Sequence, residues 1–209
     1  MKKLAFYVAF FLLSFIANAQ SDFETGMQQA FQLWGEDKAQ DASALFERIA
    51  QAEPENWLPN YYVALVNTTE AFRTKDKETI AKLLEKAQNY QDICATLEHD
   101  NAEVLVMQAM IYTAWIVYDP MTNGMQYSGK VMAIYEKASV LAPENPRVIL
   151  SKAEFEIGSA RYFKQDTSPM CAAIKKANEL FKTEKQPIPF YPKWGAERAT
   201  YLVQECEKK

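Results

Sequence analysis

Two segments of the chain, 45–57 and 134–146, align with each other without a gap, and this internal repeat limits the fold more than any other feature. Four pairs of positions match in register: Ala42 with Val131, Phe46 with Tyr135, Ile49 with Ala138, and Pro54 with Pro143. Residues four and seven positions apart lie on one face of an α-helix, and a proline a few residues later ends the helix. The repeat therefore predicts two α-helices of the same design, each with one apolar face.

The rest of the chain also favours helix. Only 6 of its 209 residues are glycine, and Ala, Leu, Glu, Lys and Gln, which are strong helix formers, are abundant. Asn56 and Asn145 follow the two prolines and are expected to begin the next helices. We predict nine helices, at 22–35, 38–52, 57–72, 76–97, 102–118, 128–141, 146–163, 168–183 and 194–207.

The spacing small-x3-aromatic-x2-apolar-x4-Pro resembles the second helix of the tetratricopeptide repeat (TPR), most closely in YEKASVLAPENPRV at 135–148. Ala30, Ala64, Ala109 and Ala153 fit the small position of the family's first helix, although its Trp and Gly positions mostly differ here. The resemblance implies an all-α, right-handed TPR-like solenoid of about four antiparallel helix pairs plus a C-terminal capping helix, spanning 20–209. The proline-rich segment 187–192 is expected to be an extended connector into that cap.

Residues 1–19 have the three parts of a secretory signal peptide. Lys2 and Lys3 precede an apolar run, which ends in Ala17-Asn18-Ala19. The run is too short to cross a bilayer, so we expect cleavage, export to the periplasm or beyond the cell, and no stable membrane anchor. The net charge of −4 becomes −6 without the two leader lysines. An acidic chain of this kind is not expected to bind nucleic acid.

The TPR resemblance also implies an inner groove lined by the first helix of each pair. Such a groove is suited to a protein or peptide partner. The alternatives are that these side chains form the core, or that the capping helix fills the groove. The family's inner positions correspond here to Met27, Phe31, Trp34, Tyr61, Leu65, Thr68, Val106, Met110 and Thr113.

Between the fifth and sixth predicted helices, the segment 119–129 is expected to be a long loop. Its Met121, Met125 and Tyr127 are suited to an apolar partner, because thioethers adapt to irregular surfaces. The alternative is a loop folded back onto its own helices.

The three cysteines allow one disulfide. If the last two helices pack antiparallel, Cys171 and Cys206 lie close together and are expected to pair, the alternative being free buried thiols. Cys94 and the only histidine, His99, are five positions apart and so point in different directions on a helix. Neither a metal site nor catalysis by this pair is predicted, and no cofactor motif is present in the sequence.

These observations favour an exported protein-binding scaffold that is not an enzyme and has no cofactor. The second hypothesis is a self-associating structural protein, a homo-oligomer in which another copy closes the groove. An enzyme of unknown class comes third, because a fold alone does not define a function.

Overall fold

The computed structural model describes residues 22–208, so the predicted signal peptide, 1–19, lies outside the described residues. Within 22–208 the chain is helical with no strand, which confirms the all-α prediction. No helix in this part of the chain is long and apolar enough to span a membrane. The helices are α1 (22–35), α2 (Ala39–Ala52), α3 (Trp57–Arg73), α4 (Lys77–Leu97), α5 (Ala102–Tyr118), α6 (Pro120–Leu141), α7 (Pro146–Tyr162), α8 (Cys171–Thr183) and α9 (Ala196–Glu207), with a 3-10 turn at Ser168–Met170 before α8.

Three asparagines begin helices in the same way. The side-chain oxygens of Asn56, Asn101 and Asn145 each accept a hydrogen bond from the backbone N–H two residues later, at 3.0, 2.9 and 2.8 Å. Such a bond satisfies one of the backbone donors that a helix leaves free at its first turn. The predicted starts of α3 and α7 at Asn56 and Asn145 are therefore confirmed.

From α2 to α9, successive helices pack against each other, and α3 also contacts α5, which in turn contacts α7. The largest part of the core joins helices α1 to α5, and Met27, Phe46 and Tyr61 are fully buried in it. The small residues Ala42 and Ala64 are also fully buried there, which lets neighbouring helices approach closely. A right-handed TPR superhelix remains a prediction.

The predicted loop at 119–129 is wrong, because this segment forms the first three turns of α6. Asp119 caps the helix by accepting a hydrogen bond from the N–H of Thr122 at 3.2 Å, and Pro120 occupies the first helical position, where no donor is needed. The Asn123 side chain donates to the carbonyl of Trp115 at 2.7 Å, at the end of α5. Tyr127 stacks on Tyr112 with ring centres 4.7 Å apart. These contacts outweigh the two glycines of the segment.

The C-terminal end of the molecule is closed by a covalent bond. Cys171 at the start of α8 and Cys206 near the end of α9 form a disulfide with an S–S distance of 2.00 Å. The two helices also share a small core in which Ile174, Ala177 and Ala199 are fully buried. Helix α9 therefore packs on α8, as expected for a cap.

The third cysteine, Cys94, is buried, and its thiol donates to the carbonyl of Trp57 at 3.5 Å. Burial raises the pKa of this thiol to about 12. At pH 8 almost no thiolate forms, and the thiolate is the reactive species.

We expect a thiol reagent to label no cysteine in the native protein, one after unfolding, and three after unfolding with reductant. Mass spectrometry would count the labels, and rapid labelling of the native protein would contradict this assignment.

Candidate ligand-binding site

The segment between α8 and α9, residues 184–195, crosses back over α1 and α3, and we call it the strap. Phe190 stacks on Phe31 of α1 with ring centres 6.1 Å apart. Tyr191 meets Trp57 of α3 edge to face at 6.0 Å. The strap, and not the capping helix, therefore covers the face formed by the first helices.

Two hydrogen bonds fix the strap to α3. The Tyr62 hydroxyl donates to the carbonyl of Phe190 at 2.7 Å, and Nε1 of Trp194 donates to the Tyr61 hydroxyl at 2.8 Å. Burial raises the pKa of both tyrosines well above the ordinary value, so both hydroxyls keep their protons at neutral pH. These bonds join residues more than a hundred positions apart in sequence.

The strap ends at Gly195, where a glycine is required. Its φ is +108°, in the region that other residues rarely adopt. A Cβ at this position would lie 2.7 Å from Cζ of Phe181, which is closer than van der Waals contact allows. The positive φ of Gly195 turns the chain from the strap into α9, and the close approach of Phe181 leaves no room for a side chain there.

A buried arginine holds both ends of the strap. Arg147 of α7 is fully buried, and its Nε donates to both carboxylate oxygens of Glu103 at 2.9 and 2.8 Å. Its Nη1 and Nη2 pair with Glu184 at the start of the strap, and Nη1 also lies 3.5 Å from the carbonyl of Trp194 near its end. Burial works against the charge, but the hydrogen bonds and charges of Glu184 and Glu103 outweigh it and raise the pKa of Arg147.

Between the strap and helices α1 and α3 lies a pocket of about 390 Å³. This volume is within the range of small-molecule sites. Most of its lining is aromatic, and the polar members Gln28 and Lys193 are exposed. The complete lining is Gln28, Phe31, Trp34, Tyr62, Leu65, Phe190, Tyr191, Lys193 and Trp194.

Three residues of the predicted groove line this pocket: Phe31, Trp34 and Leu65. Most of the others are in the core. Met27, Tyr61 and Val106 are fully buried, and Met110 packs beneath them, while the Thr68 and Thr113 hydroxyls bond to carbonyls of their own helices. The strap lies over the part of this face that α1 and α3 form.

The strap's contribution to the pocket was missed at the sequence level. Phe190, Tyr191 and Trp194 lie in or beside the proline-rich segment that was interpreted only as a connector. Three aromatic residues within five positions, in a segment too rich in proline for helix, are a signal that the segment packs on a core. Tyr62 also lines the pocket. It was not predicted, because in this region the family's inner positions correspond to Tyr61, Leu65 and Thr68 and not to Tyr62.

The methionines at the start of α6 lie apart from the pocket. The side chains of Met121 and Met125 are exposed, and Met121 accepts a weak hydrogen bond from the Tyr162 hydroxyl at 3.7 Å. None of Met121, Met125 and Tyr127 is among the residues that line the pocket.

Among the described residues, no His, Cys, Asp or Glu side chain lines the pocket. His99 is 78% exposed, pairs with Asp100 at 2.7 Å, and is not part of the lining. Among residues 22–208, no three His, Cys, Asp or Glu side chains are grouped so as to hold a metal ion. The pocket offers flat aromatic surface, two tyrosine hydroxyls and the ammonium group of Lys193.

Fold and pocket together define an all-helical protein with a strapped aromatic site. Among solved structures, the chain is similar to the HusA haemophore from Porphyromonas gingivalis, with a TM-score of 0.76, covering 88% of this chain and 92% of that one. The two are 20% identical in sequence, so the likeness shows a shared fold and nothing more. No family model and no curated protein matches the sequence.

Proposed function

We propose that this protein is an exported binding protein that carries a flat, largely apolar ring compound of the tetrapyrrole class in the aromatic pocket. The observation that carries the proposal is the pocket itself, in which Phe31, Trp34, Tyr62 and the strap aromatics surround about 390 Å³. Stacking on aromatic side chains favours flat ligands. The similar fold belongs to a haemophore, by its name a carrier of haem, which makes tetrapyrroles the first ligands to test.

Binding in this pocket would rest on the ring and not on the iron. Haem iron is commonly held by His, Cys, Met or Tyr, and the pocket lining contains only tyrosines from this set. The Tyr62 hydroxyl is engaged with Phe190 and its pKa is raised by burial, and burial also raises the pKa of Tyr191 to about 12. Both phenols resist losing the proton that strong iron ligation requires. Iron-free porphyrin and haemin are therefore proposed to bind with similar affinity.

A role in transport fits the predicted export of the chain. The predicted leader at 1–19 would direct the protein out of the cytoplasm, and the disulfide is a bond typical of such compartments. A peptide-binding role on the same face would require the strap to leave it, against the hydrogen bonds of Tyr62 and Trp194 and the pairing of Glu184 with Arg147. We propose that a ring compound enters between the strap and the helices and leaves these bonds in place.

The test is a titration of the purified protein, residues 20–209 with the disulfide formed, with haemin and with protoporphyrin IX. Quenching of tryptophan fluorescence and the shift of the porphyrin absorption band would report binding. We expect saturable binding of both ligands. The Trp34→Ala variant is expected to bind roughly tenfold more weakly, since it loses a stacking face of the pocket.

Tyr201→Ala is the matched control, because Tyr201 is a half-exposed aromatic side chain that does not line the pocket. Its affinity should equal that of the wild type. Absence of saturable binding of either ring, or equal losses in the two variants, would overturn the proposal. A haemin affinity a hundredfold above that of protoporphyrin would instead show that iron ligation dominates.

A further inference from the structure

The inner end of the pocket is buried and largely apolar, whereas its outer end, which we call the mouth, carries exposed polar side chains. Tyr62 and Leu65 are 3% and 1% exposed and form its deepest part. Gln28 on α1 and Lys193 on the strap are exposed, and they are the lining residues with a polar group at the end of a flexible chain. A ligand inserted here buries its apolar part and leaves one edge near these two side chains.

Two polar groups of the pocket, on Tyr62 and Trp194, are already engaged in hydrogen bonds. The Tyr62 hydroxyl donates to Phe190, and Nε1 of Trp194 donates to Tyr61, both within the protein. A ligand that bonded to these groups would have to break an existing bond of similar strength. Polar selection of a ligand is therefore left to the other described lining residues, which are Trp34, Tyr191, Gln28 and Lys193.

Lys193 is the charged residue of the lining. Its side chain forms no ion pair within residues 22–208, whereas many other lysines in that range are paired. Lys193 lies between two residues that are held in place. Pro192 is buried, and Trp194 is hydrogen-bonded to Tyr61 of α3. The backbone of Lys193 is therefore fixed beside the mouth, and the Lys193 ammonium group has no ion-pair partner among residues 22–208.

We infer that the pocket selects ring compounds that carry an acidic group at one edge, and that Lys193 is the specificity-determining residue. This inference rests on the proposed function. The apolar ring enters towards Tyr62 and Leu65, and a carboxylate at its outer edge pairs with the Lys193 ammonium. The pairing sets which edge of the ring enters first. A neutral ester of the same ring keeps the stacking but loses the ion pair.

The test compares protoporphyrin IX, which has two free carboxylates, with its dimethyl ester. The wild type is expected to bind the acid roughly threefold to fivefold more tightly than the ester, as for a partly exposed ion pair. The preference should shrink as salt is raised, because salt screens such a pair. Lys193→Met should remove the preference by weakening the acid alone, and Lys193→Glu should reverse it.

Lys185→Met is the matched control, since Lys185 is an exposed lysine of the same strap that does not line the pocket. It should keep the wild-type preference. Equal binding of acid and ester by the wild type would overturn the role of Lys193 while leaving the proposed function intact. A preference that survives in Lys193→Met would also overturn it. Failure to bind either compound would instead refute the proposed function.

Discussion

Replacing Arg147 with methionine is expected to lower the free energy of unfolding by about 3 to 5 kcal/mol. Methionine keeps most of the aliphatic volume but has no donor for Glu103, which is fully buried and would be left with an uncompensated charge. Urea unfolding followed by circular dichroism would measure the loss. Hydrogen exchange should also become faster in the strap, because Arg147 holds Glu184 and lies beside the carbonyl of Trp194.

Arg198→Met is the matched control for this prediction. Arg198 also pairs with a carboxylate, that of Glu154 at 2.6 Å, but its side chain is 54% exposed. Its loss should cost no more than about 1 kcal/mol, because water replaces the partner. Adding Glu103→Gln to Arg147→Met should restore part of the stability, since the second change removes the stranded charge. Equal losses for the Arg147 and Arg198 variants would contradict a buried ion pair.

Removing the disulfide with Cys171→Ser and Cys206→Ser is expected to cost about 3 to 4 kcal/mol. The two cysteines are 35 positions apart, and the bond restricts that loop in the unfolded chain. Urea unfolding of the oxidised wild type and of the double variant would give the difference. The strap lies within this loop, so the bond also limits how far the wall of the pocket can move.

Reductant supplies the control for the disulfide prediction. Wild type unfolded in the presence of reductant should match the double variant, and the variant itself should not respond to reductant. Cys94 is buried away from the bond and is unchanged in both proteins. A double variant as stable as the oxidised wild type would show that the loop is already restricted without the bond.

Residues that are distant in sequence meet at Arg147 and the strap. Glu103 of α5, Arg147 of α7 and the partly exposed Glu184 of the strap form one network, and Asn145 also donates to Glu103 at 2.6 Å. Asn145 begins α7 as well, so the helix start and the network share a residue. The network positions the strap, and the strap completes the pocket.

The prediction of a loop at 119–129 was wrong, because the segment is the start of α6. The segment 119–129 has two glycines and an asparagine, which are typical of loops. Asp119 and Pro120, however, are also a good helix start, and packing of Tyr127 on Tyr112 stabilises the helix that follows. Local turn signals were outweighed by a cap and by a contact with the preceding helix.

The sequence by itself determined the helices. Their apolar spacing, the prolines after α2 and α6, and the caps at Asn56 and Asn145 are local signals, because each acts within a few residues of the chain. Near-correct boundaries for eight helices follow from them.

Only the tertiary structure decided where the pocket lies. Phe190 and Trp194 meet Tyr62 and Tyr61 across separations of 128 and 133 residues, and no local pattern records such a pairing. Arg147 would be assigned to the surface by its charge, and it is buried only because Glu103 and Glu184 converge on it. The site is therefore a product of the fold, since its residues come from helices and a strap that packing alone brings together.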